Sequence, residues 1–192
     1  MKYVYRERPD LRGLYKLFAG YIFIFVNIRV YGFDVMPDLI GFIIIIAGLK
    51  SLSRVNPLFS NAVRFAWGSA IISIFEIYRF PLLPDALSIW DAAYFLTALL
   101  SLVMNLLLFH RIIDVFSDLL MRVDLIELSY RCKIIWSWYR NLRIAIFLTS
   151  YTSLEFYLGI FFFILNTAVF IQFLRLLRKI YKGLNRPIPI RS

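Results

Sequence analysis

The chain is poor in the residues that build chemical centres. It has one cysteine, Cys132, and one histidine, His110, among 192 residues. A lone cysteine excludes an intramolecular disulfide. Together with a single histidine it falls short of the four ligands of a structural zinc site and of the ligand sets of iron–sulfur clusters. No HExxH, GxSxG, paired-aspartate or glycine-rich phosphate motif occurs, so the sequence reads as non-enzymatic, with no cofactor and no metal. His110 stands beside Arg111 and Asp114 where an apolar stretch ends, and its plainest role is to complement a helix C-terminus. Acids are scarce as well, 12 against 22 Lys and Arg, for a formal net charge of +10.

Apolar residues, by contrast, are abundant. They make up 61% of the chain, and the mean hydropathy is +0.73, where a soluble domain is nearer half apolar. Six apolar stretches stand out, at 14–31, 39–52, 62–80, 88–109, 134–151 and 154–177. Spans of ~20 residues would use most of the chain and leave a single transmembrane domain. When the intervening segments are assigned alternately to two sides, every Lys and Arg except Arg29 and Arg79 falls on one side. The other side holds Asp34, Asp38, Glu76, Asp85, Asp91 and Glu155. This is the positive-inside pattern. It predicts an all-α, polytopic integral membrane helical bundle of six transmembrane helices with both termini cytoplasmic. The bilayer is the first partner. The basic residues lie at membrane boundaries, where they meet anionic headgroups, so the positive charge does not point to nucleic acid.

The charged N-terminus, Met1–Lys16, followed by an apolar run without a small-x-small cleavage site, reads as an uncleaved first span. The fifth stretch is the weakest span. Its wholly apolar core, Ile144–Leu148, is short, and extending it back to Ile134 takes in Arg140, Asn141 and Arg143. The basic tail after Leu177 requires it, because without a fifth crossing that tail would lie outside. Arg140 and Arg143 can snorkel to the interface, and an Arg143 held deep needs a carboxylate partner. Residues 110–133 mix apolar and charged positions at roughly helical spacing and predict an amphipathic cytoplasmic segment, lying on the surface or packed beneath the bundle. Gly41 and Gly48, seven apart in the second span, predict a close helix contact.

Phe33-x-x-Met36-Pro37-Asp38-Leu39 is echoed by Phe80-x-x-Leu83-Pro84-Asp85-Ala86, and the last inward-running span opens on Thr152-Ser153-Leu154-Glu155, a capping-box pattern. Each of the three inward helices thus has an acid near its N-terminus, where the helix dipole favours it. The stretch Gly32–Phe42, with Asp34, Pro37-Asp38 and Gly41, then Gly48-Leu49, resembles a group of small polytopic bacterial membrane proteins with a "D-x-x-P-D-x-x-G" signature after the first span. The resemblance covers about the first third of the chain. It implies a multi-pass protein of the bacterial plasma membrane and carries no activity or site residue with it.

The candidate ligand-binding residues are Glu76, Arg79, Asn105, Glu155, Asn166 and Arg29. Arg29, Glu76 and Arg79 read as ionisable groups inside spans, which mark a pathway or a buried pair. Ala62, Ala66, Ser69, Ser73 and Glu76 share a face at 4-3-4-3 spacing. Thr97, Ser101 and Asn105 share another, and Glu155, Gly159 and Asn166 a third. Convergence of these faces would make an outward-facing polar cavity for a small solute, bounded by spans 3, 4 and 6, with Glu76 paired to Arg79 or Arg29. The alternative is that they are packing stripes. The protein would then be a structural or regulatory partner of another membrane protein, working through its basic cytoplasmic surface. A lipid-modifying enzyme is a third reading, for which only the outer acidic set offers clustered ionisable groups.

Overall fold

The computed structural model describes residues 12–25, 29–30, 33–34, 38–76, 89–150 and 154–184. The Phe80–Ala86 repeat, Arg79, Thr152-Ser153, the first eleven residues and the last eight lie outside these. Six helices follow in order: α1 (Arg12–Phe25), α2 (Asp38–Leu52), α3 (Phe59–Phe75), α4 (Ile89–Arg122), α5 (Ile126–Thr149) and α6 (Leu154–Leu184). Between α1 and α2 two short strands, β1 (Arg29–Val30) and β2 (Phe33–Asp34), pair antiparallel, with Arg29 opposite Asp34 and Val30 opposite Phe33. The described residues are therefore all-α apart from this small hairpin.

Each helix packs on the next, and α6 returns to α1, so the six close into a ring. The α1–α2 contact is the most intimate. Gly13 and Gly20 of α1 face Gly48 and Gly41 of α2, and a Cβ built on any of the four would meet the backbone of the partner helix; on Gly20 it would lie 2.7 Å from the Gly41 carbonyl. Glycines seven apart on both helices return to the same face after two turns, so two antiparallel backbones can touch at two levels. The close contact expected of Gly41 and Gly48 is present, and its other half is a matching pair in α1.

Helix ends follow from local chemistry. Asp38 occupies the first turn of α2, where a carboxylate meets the positive end of the dipole. Asn56 turns the chain into α3, its Oδ1 accepting the Leu58 N–H at 3.0 Å. α4 stops in a Schellman motif: Leu125 N–H donates to the Leu120 carbonyl at 2.9 Å and Asp124 N–H to that of Met121 at 3.2 Å. Asp124 adopts φ 60°, the left-handed conformation that Asp tolerates better than most residues.

That turn splits the predicted amphipathic segment. Residues 110–133 are the end of α4, the turn at 123–125 and the start of α5, not a separate surface helix. Leu120 and Cys132 are buried inside, and the Ser117 and Ser129 hydroxyls, 2.7 Å apart, tie the two helices together. Leu125 and Leu128 pack against the core as well, whereas Met121, Ile126 and Tyr130 stay exposed. His110 consequently lies within α4, with twelve residues of helix beyond it, and cannot cap a C-terminus. It contacts Asp114 at 3.3 Å and stacks on Trp136 at 4.9 Å.

The core is uneven. At the end of the ring where α4 turns into α5, the packed end, Leu17, Ile45, Leu49, Phe59, Ile112, Phe116 and Ile180 are buried together. Towards the β-hairpin end, no described residue of α4 before Leu108, of α5 after Leu142 or of α6 before Phe173 is buried. Large apolar side chains point outward there instead, among them Phe75, Leu96, Leu148, Ile160 and Phe163.

Two helical segments, Ala92–Arg122 and Leu158–Leu184, are long and apolar enough to cross a membrane. α1, α2 and α3 have 14, 15 and 17 residues, about 21–26 Å of helix against ~30 Å of hydrocarbon. α5 has the length, at 24 residues, but carries Arg140 and Arg143 in its apolar half.

Candidate functional site

A cavity of about 40 Å³ lies where the packed end gives way to the looser one, between α1, α4, α5 and α6. It is built in two layers, the outer one turn further along α1, α4 and α5 and one to two turns further along α6. The inner layer is aromatic: Tyr21, Phe109, Tyr139 and Phe173. Phe109 stacks on Tyr139 at 4.1 Å, packs on Phe173 at 4.8 Å and meets Tyr21 edge-on at 5.9 Å. Such offset and edge-to-face pairs contribute beyond the area they bury. The next turn outward brings Phe25 on α1, Asn105 on α4, Arg143 on α5 and Phe170 on α6, with Asn166 one turn beyond Phe170. Phe25 and Phe170 stack at 4.2 Å and close the α1–α6 side. The i, i+4 spacing of Asn105 with Phe109 and of Tyr139 with Arg143 places each polar group directly above an aromatic floor.

Arg143 is the cation of the lining. Its Cζ lies 5.4 Å from the centre of the Tyr139 ring, a cation–π contact, and the carboxylates of Asp38 and Glu76 lie within reach of its charge. Its Nε is buried without a hydrogen-bond partner, as is the Tyr21 hydroxyl. Asn105 Nδ2 donates to Ser101 Oγ at a long 3.4 Å. Buried donors left unpaired are costly, and a space of this size, mostly apolar but with these polar groups on its wall, accommodates water or a small solute that can pair them.

Of the candidate residues, Asn105 and Asn166 line this cavity together. Glu76 does not. It is the C-cap of α3, half-buried, at the hairpin end. The face leading to it is closed: Ala62, Ala66, Ser69 and Ser73 are buried between helices, with Ser73 donating to the Ala70 carbonyl. α3 is thus a packing wall, and the cavity opens on α1 and α5 in its place. Arg29 lies in β1, outside α1, because the helix ends four residues earlier at Phe25; Asn27 and Arg29 are poor residues to carry into hydrocarbon. Glu155 is the second residue of α6. The side chains of Arg29 and Glu155 and all of Arg79 are outside the described structure, so pairing of Glu76 with either arginine is not described. Gly159 is exposed, with nothing within 4 Å of an added Cβ, and belongs to no contact.

Tyr21, Phe109, Tyr139 and Phe173 escaped the sequence reading because an aromatic in an apolar run looks the same in a core, a lipid face or a site. The one signal was the tyrosine–arginine pair at i, i+4 on α5.

A second cleft of about 180 Å³ lies between the start of α3 and α4, lined by Leu58, Asn61, Arg111, Asp114, Val115 and Asp118. Its two carboxylates are already engaged along the helix, Asp114 with His110 and Asp118 with Arg122 at 2.9 Å. Among the described residues no three His, Cys, Asp or Glu side chains come together. No protein-family model, curated protein or solved structure matches the chain.

Proposed function

We propose that the protein is a multi-pass protein of the bacterial plasma membrane, with six spans and both termini cytoplasmic, that binds or transports a small solute in the cavity between α1, α4, α5 and α6. The observation that carries this reading is the pairing of unsatisfied buried donors, the Tyr21 hydroxyl and Arg143 Nε, with two amides around one void. Polar groups at such a depth are wasteful in a purely structural bundle and useful around a ligand. The membrane assignment draws on the one-sided basic residues and on the large apolar side chains exposed on every helix, such as Phe18, Ile43, Ile71, Leu100, Leu148 and Ile164, an area that requires cover. The short α1–α3 fit a thinned bilayer. The loosely packed hairpin end faces outward in this topology and would be the route of entry.

A second reading, a regulatory partner of another membrane protein, is favoured by the exposed row Ile126, Tyr130, Ile134 and Trp138 on α5, flanked by Arg131, Lys133 and Arg140. Two measurements decide. Cysteines placed at Asp85 and at Ser192 should label from outside and only after permeabilisation, respectively; the reverse would remove the topology. A thermal-unfolding screen of small solutes should give a hit that Asn166→Leu abolishes, because a ligand at 100 times its Kd adds about 2.7 kcal/mol. Absence of any such solute would leave the partner reading.

A further inference from the structure

We infer that the cavity takes a small monovalent anion, of the size of chloride, nitrate or formate, held by Arg143, Tyr21 and the amides of Asn105 and Asn166; this rests on the solute-binding reading above. The sign follows from the lining. Among the described residues Arg143 is its one cation, and no carboxylate lines it. Asp38 and Glu76 feel the charge of Arg143 but contribute no wall, so they offset the cost of an arginine at this depth without occupying the space beside it. The available hydrogen bonds point the same way. The buried, unused groups are the Arg143 Nε–H, which can only donate, and the hydroxyl of Tyr21, a residue 9% exposed. The 3.4 Å bond of Asn105 Nδ2 to Ser101 Oγ is at the limit of a hydrogen bond and leaves that N–H available to a better acceptor. A cation would find aromatic faces here, but Arg143 already takes the face of Tyr139. Size sets the upper bound. About 40 Å³ is room for a few waters or one small anion, far below the ~300 Å³ of a pocket for a vitamin-sized ligand.

The test uses the purified full-length protein in detergent and sodium gluconate. Unfolding is followed while sodium chloride, nitrate or formate replaces gluconate. Ammonium gluconate and formamide, of matching size, serve as cationic and neutral arms. At least one anion should raise Tm saturably. Tyr21→Phe, which deletes one hydroxyl, and Asn166→Leu should each shift the titration midpoint about tenfold, the loss of one charge-assisted hydrogen bond. The midpoint, not the absolute Tm, is compared, so a modest loss of stability does not obscure the result. If no anion shifts Tm saturably, water alone fills the cavity and the inference falls. If both variants titrate as the wild type, the anion binds elsewhere and it falls equally. A saturable response to ammonium or formamide that Asn166→Leu abolishes, with none to anions, would overturn the anion assignment and leave the solute-binding reading standing. Silence in all three arms would remove both.

Discussion

The glycine contact between α1 and α2 gives a test in which one substitution changes sign with position. Gly→Ala in a helix interior is ordinarily stabilising by about 1 kcal/mol, because alanine has the better helix propensity. At Gly20 the new Cβ would sit 2.6 Å from Ile45 Cγ1, 2.7 Å from the Gly41 carbonyl and 3.0 Å from the Ile45 nitrogen. The first can yield by a rotation. The other two are backbone, and 2.7 Å is short of a ~3.5 Å resting contact by roughly 0.8 Å, so the helices must separate and the contacts around Gly13 and Gly48 loosen with them. Overpacking of this kind costs about 1–3 kcal/mol. Net of the propensity gain, Gly20→Ala should destabilise by about 0–2 kcal/mol. Gly159→Ala meets nothing within 4 Å and should keep the full gain of about 1 kcal/mol. Reversible unfolding in mixed micelles, with the two variants measured side by side, isolates the packing term as their difference. If Gly20→Ala stabilises as much as Gly159→Ala, the helices are not in backbone contact and the argument fails.

Two further expectations concern the α4–α5 hairpin. Asp124→Gly should be neutral to stabilising, within about 1 kcal/mol, and Asp124→Val should cost about 1–2 kcal/mol, because a β-branched residue resists φ 60°; equal stabilities by thermal unfolding would mean that the turn is not left-handed. Burial pushes the Cys132 thiol up to about 12. The thiolate is then roughly one part in 10,000 at pH 8 and grows only as pH rises, so a maleimide should label native protein negligibly and unfolded protein fully. Rapid labelling of the native form would show that Cys132 is accessible and that the hairpin is not packed as described.

The sequence alone was enough to locate the helices, because helices of this kind are written in local apolar runs and their breaks. Each apolar stretch corresponds to one of α1–α6. The differences are at the ends, where Arg29 falls in a strand because α1 stops at Phe25 ahead of polar residues, and α4 runs on past Phe109 because its far end packs against α5. The buried face Ala62–Ser73 was legible because small residues at helical spacing have one common use. Charge placement also lies in the sequence, since it depends on which loop a residue occupies and on no long-range contact.

What the sequence could not decide is which faces meet. Asn105 and Asn166 each sat on a recognisable stripe, but their common cavity exists only because the ring closes α6 onto α1 and brings Tyr21 over Phe109 and Phe173. Arg143 looked like an interfacial arginine. Its place above Tyr139, within reach of Asp38 and Glu76, depends on the rotation and register of α5 against helices distant in sequence. Those are set by long-range packing: glycine pairs locking α1 to α2, the Ser117–Ser129 bond locking α4 to α5, and the aromatic floor joining four helices. Periodicity specifies the face of a single helix, but the partner of that face is settled only when all six pack at once.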